Sequence, residues 1–291
     1  MTEQTAMDAP SYIFTFSCPD RAGILAKVSG ELYQSGLFIT EVAQYSDPYT
    51  DRFFSRMVFD QRQGGDEPGA WQDRLRALAT ELGLNFRLRL QNELPNIVIA
   101  VSKYDHCLNV LLTKWRSGAL PANIAAVVSN HDDCRGLVEW YGIPFHHLPV
   151  SAENRHQQEQ QIIQLMSQYD SQLLVLARYM QILTDELCEQ LQGRAINIHH
   201  SFLPSFKGAR PYHQAHSRGV KVVGATAHYV TADLDEGPII VQEVKPVNHT
   251  FTIEQLVHLG HDIEAAALSH AVRLHCEERV VLNGDKTVIL Q

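Results

Sequence analysis

The amino-acid sequence predicts an α/β protein of two domains, and two observations support this. About the first ninety residues alternate between strand and helix patterns in the order βαββαβ, which is the order of a ferredoxin-like α/β sandwich. From about residue 93, short and solidly apolar runs alternate with helical patterns instead, which is typical of a doubly wound, mostly parallel sheet buried under helices. We therefore expect one domain over residues 1–92 and a second over residues 93–291.

Local periodicity defines the elements of the first domain. Apolar residues at helical spacing predict helices over residues 24–33 and 71–82, and Gly36 and Gly83 are their stop signals. Strand-forming residues cluster or alternate with polar ones in four segments: 12–17, 38–45, 52–59 and 84–90.

Apolar runs define the second domain. The connections between these runs are long enough for helices, so right-handed crossovers are expected. Near the C-terminus, Thr252 and Gln255 form the capping-box pattern of a helix that reaches about Glu278, and Asn283-Gly284 predicts the turn of a closing hairpin. The buried strands are predicted at four runs: 97–101, 124–128, 173–177 and 195–198.

Composition excludes several classes of partner. The formal net charge is -9 and no run of Lys or Arg occurs, which disfavours nucleic acid and anionic membranes as partners. No apolar run approaches the roughly 18 residues of a membrane span, and the N-terminus lacks the pattern of a signal peptide. The five cysteines are scattered and form no C-x-x-C pair, so reduced thiols and a cytoplasmic protein are expected.

Two polar segments carry candidate chemistry. Asn197 and His199 end the run 195–198 and point to the same side of a strand, where an amide and an imidazole suit an acyl oxygen that becomes negative. The pattern alone also fits a strand end with solvated polar groups. The second segment is an acidic loop between two apolar stretches, with Asp233, Asp235 and Glu236. By itself it fits a turn or a cation loop, although its spacing is not that of an EF-hand.

Together the two segments resemble the folate-dependent formyltransferase family. The shared pattern is Asn-x-His-x-Ser-x-Leu-Pro at 197–204 and, about 35 residues later, Asp-x-Asp-x-Gly at 233–237. The resemblance covers about residues 95–290 and implies that Asn197, His199 and Asp235 form the catalytic set. It further implies a pteridine site that is built largely from backbone groups of Met180, Gln181, Ile182 and Leu183. The segment from Val230 and Thr231 to Asp235 would form the opposite wall of the folate pocket.

The sequence departs from the transferases in two places. The turn at 102–108 contains no glycine, so a backbone cradle for the phosphate of a phosphorylated amine is not expected. His200 stands where the family usually has proline, and the resemblance suggests that it helps to position water. With the segment 208–215, these features are similar to the formyltetrahydrofolate deformylase branch of the family. That branch carries an N-terminal ACT domain, hydrolyses 10-formyltetrahydrofolate to formate and tetrahydrofolate, and so supplies formate for purine synthesis.

The βαββαβ order of the first domain is that of the ACT fold, and one turn resembles its ligand turn. This resemblance implies an amino-acid effector bound between two ACT domains, and therefore a homo-oligomer. The alternative is a domain that serves assembly alone. The effector residues implied are Asp20, Arg21, Gly23, Ile24 and Leu25.

Several other functions are less consistent with the sequence. Five clustered histidines suggest a metal site: His199, His200, His213, His216 and His228. No H-E-x-x-H pattern occurs, however, and the resemblance implies a family that needs no metal. We therefore expect no metal and no cofactor, with the folate as substrate. Dinucleotide, P-loop and G-x-S-x-G motifs are absent. The remaining alternatives are a formyltransferase for an unphosphorylated amine and a non-catalytic folate or amino-acid sensor.

Overall fold

The computed structural model describes residues 9–62, 65–200 and 211–291, which form two compact units. The first unit holds residues up to Glu93 together with 278–281 and 288–291, and the second holds residues 94–277 and 282–287. The sequence boundary at 92/93 placed the whole C-terminus in the second domain. The segments at 278–281 and 288–291 differ from that expectation because Leu290 packs with Ala43 and Phe54 of the first unit.

The first unit has the βαββαβ order that the sequence predicted. Its four strands form one antiparallel sheet in the order β2-β3-β1-β4. Its elements are β1 Ser11–Pro19, α1 Ile24–Gln34, β2 Leu37–Asp47, β3 Arg52–Gln61, α2 Pro68–Leu82 and β4 Asn85–Leu90.

Apolar side chains of both helices in this unit pack with the sheet in one hydrophobic core. Ile24, Val28 and Leu32 are buried on α1, at the spacing that puts them on one helical face. Trp71 at the start of α2 packs edge-on against Tyr12 with ring centroids 4.9 Å apart. Such burial of large apolar side chains is the main term that stabilises the unit.

The second unit contains a seven-stranded sheet in the order β11-β10-β9-β8-β5-β6-β7. The five strands from β9 to β7 are parallel, and β10 and β11 are antiparallel to their neighbours. All four predicted apolar runs are strands of this sheet, so the doubly wound, mostly parallel fold is confirmed. The strands are β5 Asn96–Val101, β6 Asn123–Ser129, β7 Phe145–His147, β8 Ser171–Leu176, β9 Ala195–His199, β10 Val222–Tyr229 and β11 Ile239–Pro246.

Helices cover this sheet, and a hairpin ends the chain. The capping box of Thr252 and Gln255 is present at the start of α8. In the described part of the chain, no helix combines the length and apolar character that crossing a membrane requires. The helices are α3 His106–Arg116, α4 Arg135–Trp140, α5 Arg155–Gln168, α6 Asp185–Gln190, α7 Pro211–Arg218 and α8 Ile253–Cys276, and the hairpin strands are β12 Val280–Asn283 and β13 Lys286–Ile289.

Candidate active site

A cleft in the second unit gathers the residues singled out from the sequence. We call it the central cleft. It is open to solvent on one side and has a cavity volume of about 210 Å³. Its walls are residues 178–183 after β8, 197–200 at the end of β9 and 230–235 after β10, with Leu176, Cys188 and His228.

Strand geometry brings Asn197 and His199 together. β9 ends at His199, and residues two apart on a strand project from the same face. Both side chains line the central cleft and both are partly accessible. Asn197 and His199 therefore lie on the same side of β9, as the sequence predicted.

Asp235 reaches these residues from the loop between the antiparallel strands β10 and β11. Its Oδ1 lies 3.1 Å from His199 Nδ1 and 3.9 Å from His228 Nε2. The hydrogen bond from His199 lowers the pKa of Asp235 below its ordinary value, against the opposing effect of burial. Asp235 is therefore a carboxylate at neutral pH, and the imidazole N–H that it accepts is the one at Nδ1 of His199.

His228 fixes the orientation of Asn197. Its Nδ1 lies 2.8 Å from the carbonyl oxygen of Tyr229, which only accepts, so the ring proton is on Nδ1. Burial lowers the pKa of His228, and the ring is neutral with a lone pair at Nε2. Asn197 Nδ2 lies 3.3 Å from Nε2 and donates to it. The second N–H of that amide is then available to a ligand. The sequence had placed His228 only among histidines weighed for a metal.

Gly237 allows the Tyr229 carbonyl to approach this loop. A Cβ added at Gly237 would overlap that oxygen and crowd His228 Nδ1. Tyr229 N also donates to the carbonyl of Pro238 at 2.9 Å. The glycine of the Asp-x-Asp-x-Gly pattern is therefore required by close backbone packing at this position.

His200 lies beside His199, with ring centroids 4.8 Å apart. Its Nδ1 is 3.1 Å from Nη1 of Arg178. Burial, the Arg178 charge and His199 together lower the pKa of His200 to about 4. The ring is consequently neutral at physiological pH. No role for Arg178 was predicted from the sequence.

All six residues predicted for the folate pocket line the central cleft: Met180, Gln181, Ile182, Leu183, Val230 and Thr231. Met180 and Ile182 expose more than half of their side chains there, as a wall for a flat apolar ring would. Ser102 Oγ donates to Asn130 Oδ1 at 2.7 Å and accepts the Met180 backbone N–H at 3.0 Å. Ser102, in the glycine-free turn after β5, therefore fixes one end of this wall.

One group of side chains in the described residues has donor atoms close enough for a metal ion, with all of them within 4.8 Å: His106, Cys107 and Glu264. Glu264 is already paired with Arg178, and burial raises the pKa of the Cys107 thiol well above its ordinary value. A protonated thiol is a poor metal ligand. None of the five clustered histidines that suggested a metal site in the sequence belongs to this group.

The turn predicted to bind an effector begins α1 in the first unit. Gly23 is the residue before the helix and has φ of 91°, which strongly favours glycine. Ile24 is buried, whereas Asp20, Arg21 and Gly23 are exposed and Leu25 is half-buried. The motif residues at 201–204 and those at 208–210 lie outside the described residues.

Comparison with known proteins identifies the relatives of this chain. Residues 95–272 match the formyl transferase family. The chain is 48% identical to the formyltetrahydrofolate deformylase of Corynebacterium sp. (strain P-1), over 96% of this chain and 98% of that protein. It is 44% identical to the one from Bacillus subtilis (strain 168), over 94% and 91%.

The chain belongs to the formyltetrahydrofolate deformylase family.

Solved structures agree with this family assignment. The formyltetrahydrofolate deformylase of Burkholderia mallei superposes with a TM-score of 0.93 at 44% identity, covering 97% of this chain and all of that one. A glycinamide ribonucleotide transformylase from Symbiobacterium toebii superposes with a TM-score of 0.64 at 32% identity, covering 70% of this chain and 98% of that one. About two thirds of this chain therefore has the fold of that transformylase.

Proposed function

We propose that this chain hydrolyses 10-formyltetrahydrofolate to formate and tetrahydrofolate, with Asp235, His199 and Asn197 as its catalytic residues. The observation that supports this most directly is the Asp235–His199 pair, 3.1 Å apart, facing the central cleft beside the Asn197 amide. A carboxylate–imidazole pair can act as a general base on water, and an amide N–H can stabilise the oxyanion that forms, so this set suits acyl transfer to water. A folate substrate is also what membership of the family implies.

The reaction consumes one water. The water oxygen forms a bond to the formyl carbon while one of its protons passes to His199 Nε2, whose Nδ1–H is held by Asp235. The tetrahedral intermediate then loses its bond to N10, which takes a proton as it leaves. The products are formic acid, which ionises to formate, and tetrahydrofolate. An Asp–His pair suits these transfers because the carboxylate fixes the tautomer and stabilises the imidazolium that forms.

Asn197 stabilises the oxygen that becomes negative. His228 holds one N–H of its amide, and the other faces the cleft as a donor for the formyl oxygen. Loss of one such donor typically costs about 10²–10³ in rate. His200, neutral and adjacent to His199, positions the attacking water in the same proposal.

The folate binds along residues 180–183 on one side and Val230–Thr231 on the other. Backbone groups of the first segment hydrogen-bond the pteridine, and the exposed side chains of Met180 and Ile182 pack on its faces. The Ser102 contact keeps the Met180 N–H in a fixed position. No cofactor or metal takes part in this scheme.

The proposal extends to the first unit and to the cell. An amino acid binds at the turn of Asp20, Arg21, Gly23, Ile24 and Leu25, between ACT domains of a homo-oligomer, and changes the rate of the second unit. The enzyme acts in the cytoplasm, and its formate feeds purine synthesis. Equilibrium binding of single amino acids, with sedimentation to measure oligomer size, tests the first two statements.

The activity itself is tested by formate release from 10-formyltetrahydrofolate with and without added amines. We expect steady formate production without any amine. Absence of formate, together with loss of the formyl group when one amine is added, would instead make the protein a transferase. Folate binding without either reaction would make it a sensor.

A further inference from the structure

Behind the two proposed active-site histidines lies a buried charged group that the mechanism above does not use. Its centre is Glu264 of α8, whose side chain is fully buried. Oε2 of Glu264 lies 2.7 Å from His106 Nε2, and the hydroxyl of Tyr212 donates to Oε1 at 2.9 Å. Burial alone would raise the pKa of Glu264, but these bonds and the nearby Arg178 charge lower it. Glu264 is therefore a carboxylate.

Arg178 connects this carboxylate to the central cleft. Its Nε lies 3.3 Å from Glu264 Oε2, and its Nη1 lies 3.1 Å from His200 Nδ1. The guanidinium carbon also sits 5.4 Å from the centre of the Tyr104 ring. The contact with Glu264 is an ion pair and not an aligned hydrogen bond; together with the hydrogen bond to His200, it holds the rigid, planar guanidinium between the two side chains.

This contact determines where the proton of His200 resides. An arginine side chain has only donors, so Nδ1 of His200 accepts, and the proton of the neutral ring is on Nε2. The charged groups around His200 are Arg178 and His199, which disfavour its protonation, and Glu264 and Asp235, which favour it. The first two, with burial, prevail. His200 thus carries one N–H donor, on the side of the ring away from Arg178.

We propose that Arg178, anchored by Glu264, is a positioning residue that holds His200 as an Nε2–H donor to the attacking water. The proposal rests on the hydrolytic function proposed above. Water has two lone pairs, so it accepts this hydrogen bond with one and attacks the formyl carbon with the other. A neutral amine has a single lone pair, which the same donor would occupy. The Arg178–His200 pair therefore favours water over an amine as the formyl acceptor.

The tautomer is measured directly by ¹⁵N NMR of histidine-labelled protein, with His200→Gln to assign the signal. We expect Nε2–H and no titration of His200 between about pH 5 and 8. In Arg178→Met combined with Glu264→Gln, which leaves no unpaired buried charge, we expect a tautomer mixture that titrates within that range. An Nδ1–H or charged His200 in the unmodified protein would overturn the proposal. This result does not depend on any turnover, so it is separate from a failure of the hydrolytic function.

Kinetics test whether Arg178 acts through His200. We expect Arg178→Met to lower kcat about 10²-fold, as loss of an oriented donor does. The acidic limb of the profile of kcat against pH should also move to a higher pH. In a His200→Gln background the same change should cost less than about three-fold. We also expect a larger share of formyl groups to pass to added glycinamide. Arg135→Met removes an ion-paired arginine outside the cleft and is the matched control. An equal loss of kcat in both backgrounds, or an unchanged share of formyl groups passing to glycinamide, would refute the role. If Arg178→Met does not fold, Arg178→Lys is measured in both backgrounds instead.

Discussion

Asp235→Asn tests the catalytic pair while leaving the shape of the side chain unchanged. As His199 takes a proton from water it becomes a cation 3.1 Å from Oδ1 of Asp235. With an effective dielectric constant of about 20, a unit charge pair at that separation is worth about 5 kcal/mol. Replacing the carboxylate by an amide removes this term from the transition state and also allows the wrong tautomer of His199. We expect kcat to fall by about 10³–10⁴.

Binding of the folate should survive this change. The residues proposed to hold the pteridine are elsewhere in the central cleft, so KM and the Kd for tetrahydrofolate should stay within about three-fold. Formate release gives kcat, and calorimetry with tetrahydrofolate gives Kd. Asp233→Asn is the matched control, because Asp233 is an exposed carboxylate of the same loop.

Two results would refute this reasoning. If Asp235→Asn keeps more than about a tenth of the activity, the Asp235–His199 pair is not the proton acceptor. If the folded variant loses folate binding as well, Asp235 belongs to the binding site and not to the chemistry. A loss of similar size in Asp233→Asn would point to loop structure instead.

Three further predictions concern the supporting residues. Gly237→Ala should lower the free energy of unfolding by about 1–3 kcal/mol and remove most of the activity, because the added Cβ would overlap the Tyr229 carbonyl. Thermal denaturation measures the first effect and formate release the second. Ser102→Ala should raise KM about three- to ten-fold with kcat unchanged, since it frees the Met180 N–H; an altered kcat alone would contradict this. The folded pKa of His200 (about 4) is below its unfolded value, so the unfolded chain binds the proton first and stability falls as the pH drops from about 6.5 towards 4. Between pH 7.5 and 5 this term is about 2 kcal/mol, and His200→Gln should lack it in denaturant titrations at the two pH values.

Local rules predicted most of the fold. The parallel strands follow from runs apolar on both faces, and the start of α8 follows from the pattern at Thr252 and Gln255, because both signals depend on neighbouring residues. β7 was not predicted, since three residues carry too little periodicity. The packing of Leu290 in the first unit was also missed, because contacts between remote parts of a chain leave no local pattern.

The candidate site was also predicted only in part, because some of its contacts leave a local sequence pattern and others do not. Strand parity alone placed Asn197 beside His199, whereas the meeting of Asp235 with His199 depended on the family resemblance, since an acidic loop by itself fits several structures. Nothing in the sequence indicated that Arg178 and Glu264 form a pair. One looks like a strand-end cation and the other like a polar residue on a helix, and their pairing exists only in the fold. The sequence offered one hint, because Glu264 stands in an otherwise largely apolar stretch of α8. A charge that is buried in such a place must be paired.

Arg178 has a strained, left-handed backbone conformation, and the function of its side chain explains why this strain is tolerated. Arg178 has φ of 61° and Asp235 has φ of 59°, and both lie on the cleft wall. A non-glycine residue in this left-handed region costs about 1–2 kcal/mol, and glycine would remove that cost. Arg178→Gly should therefore relieve the backbone but leave Glu264 without its cation and His200 without its donor. The strain is tolerated because these two positions need both a left-handed turn and a charged side chain, and no single residue type supplies both without cost.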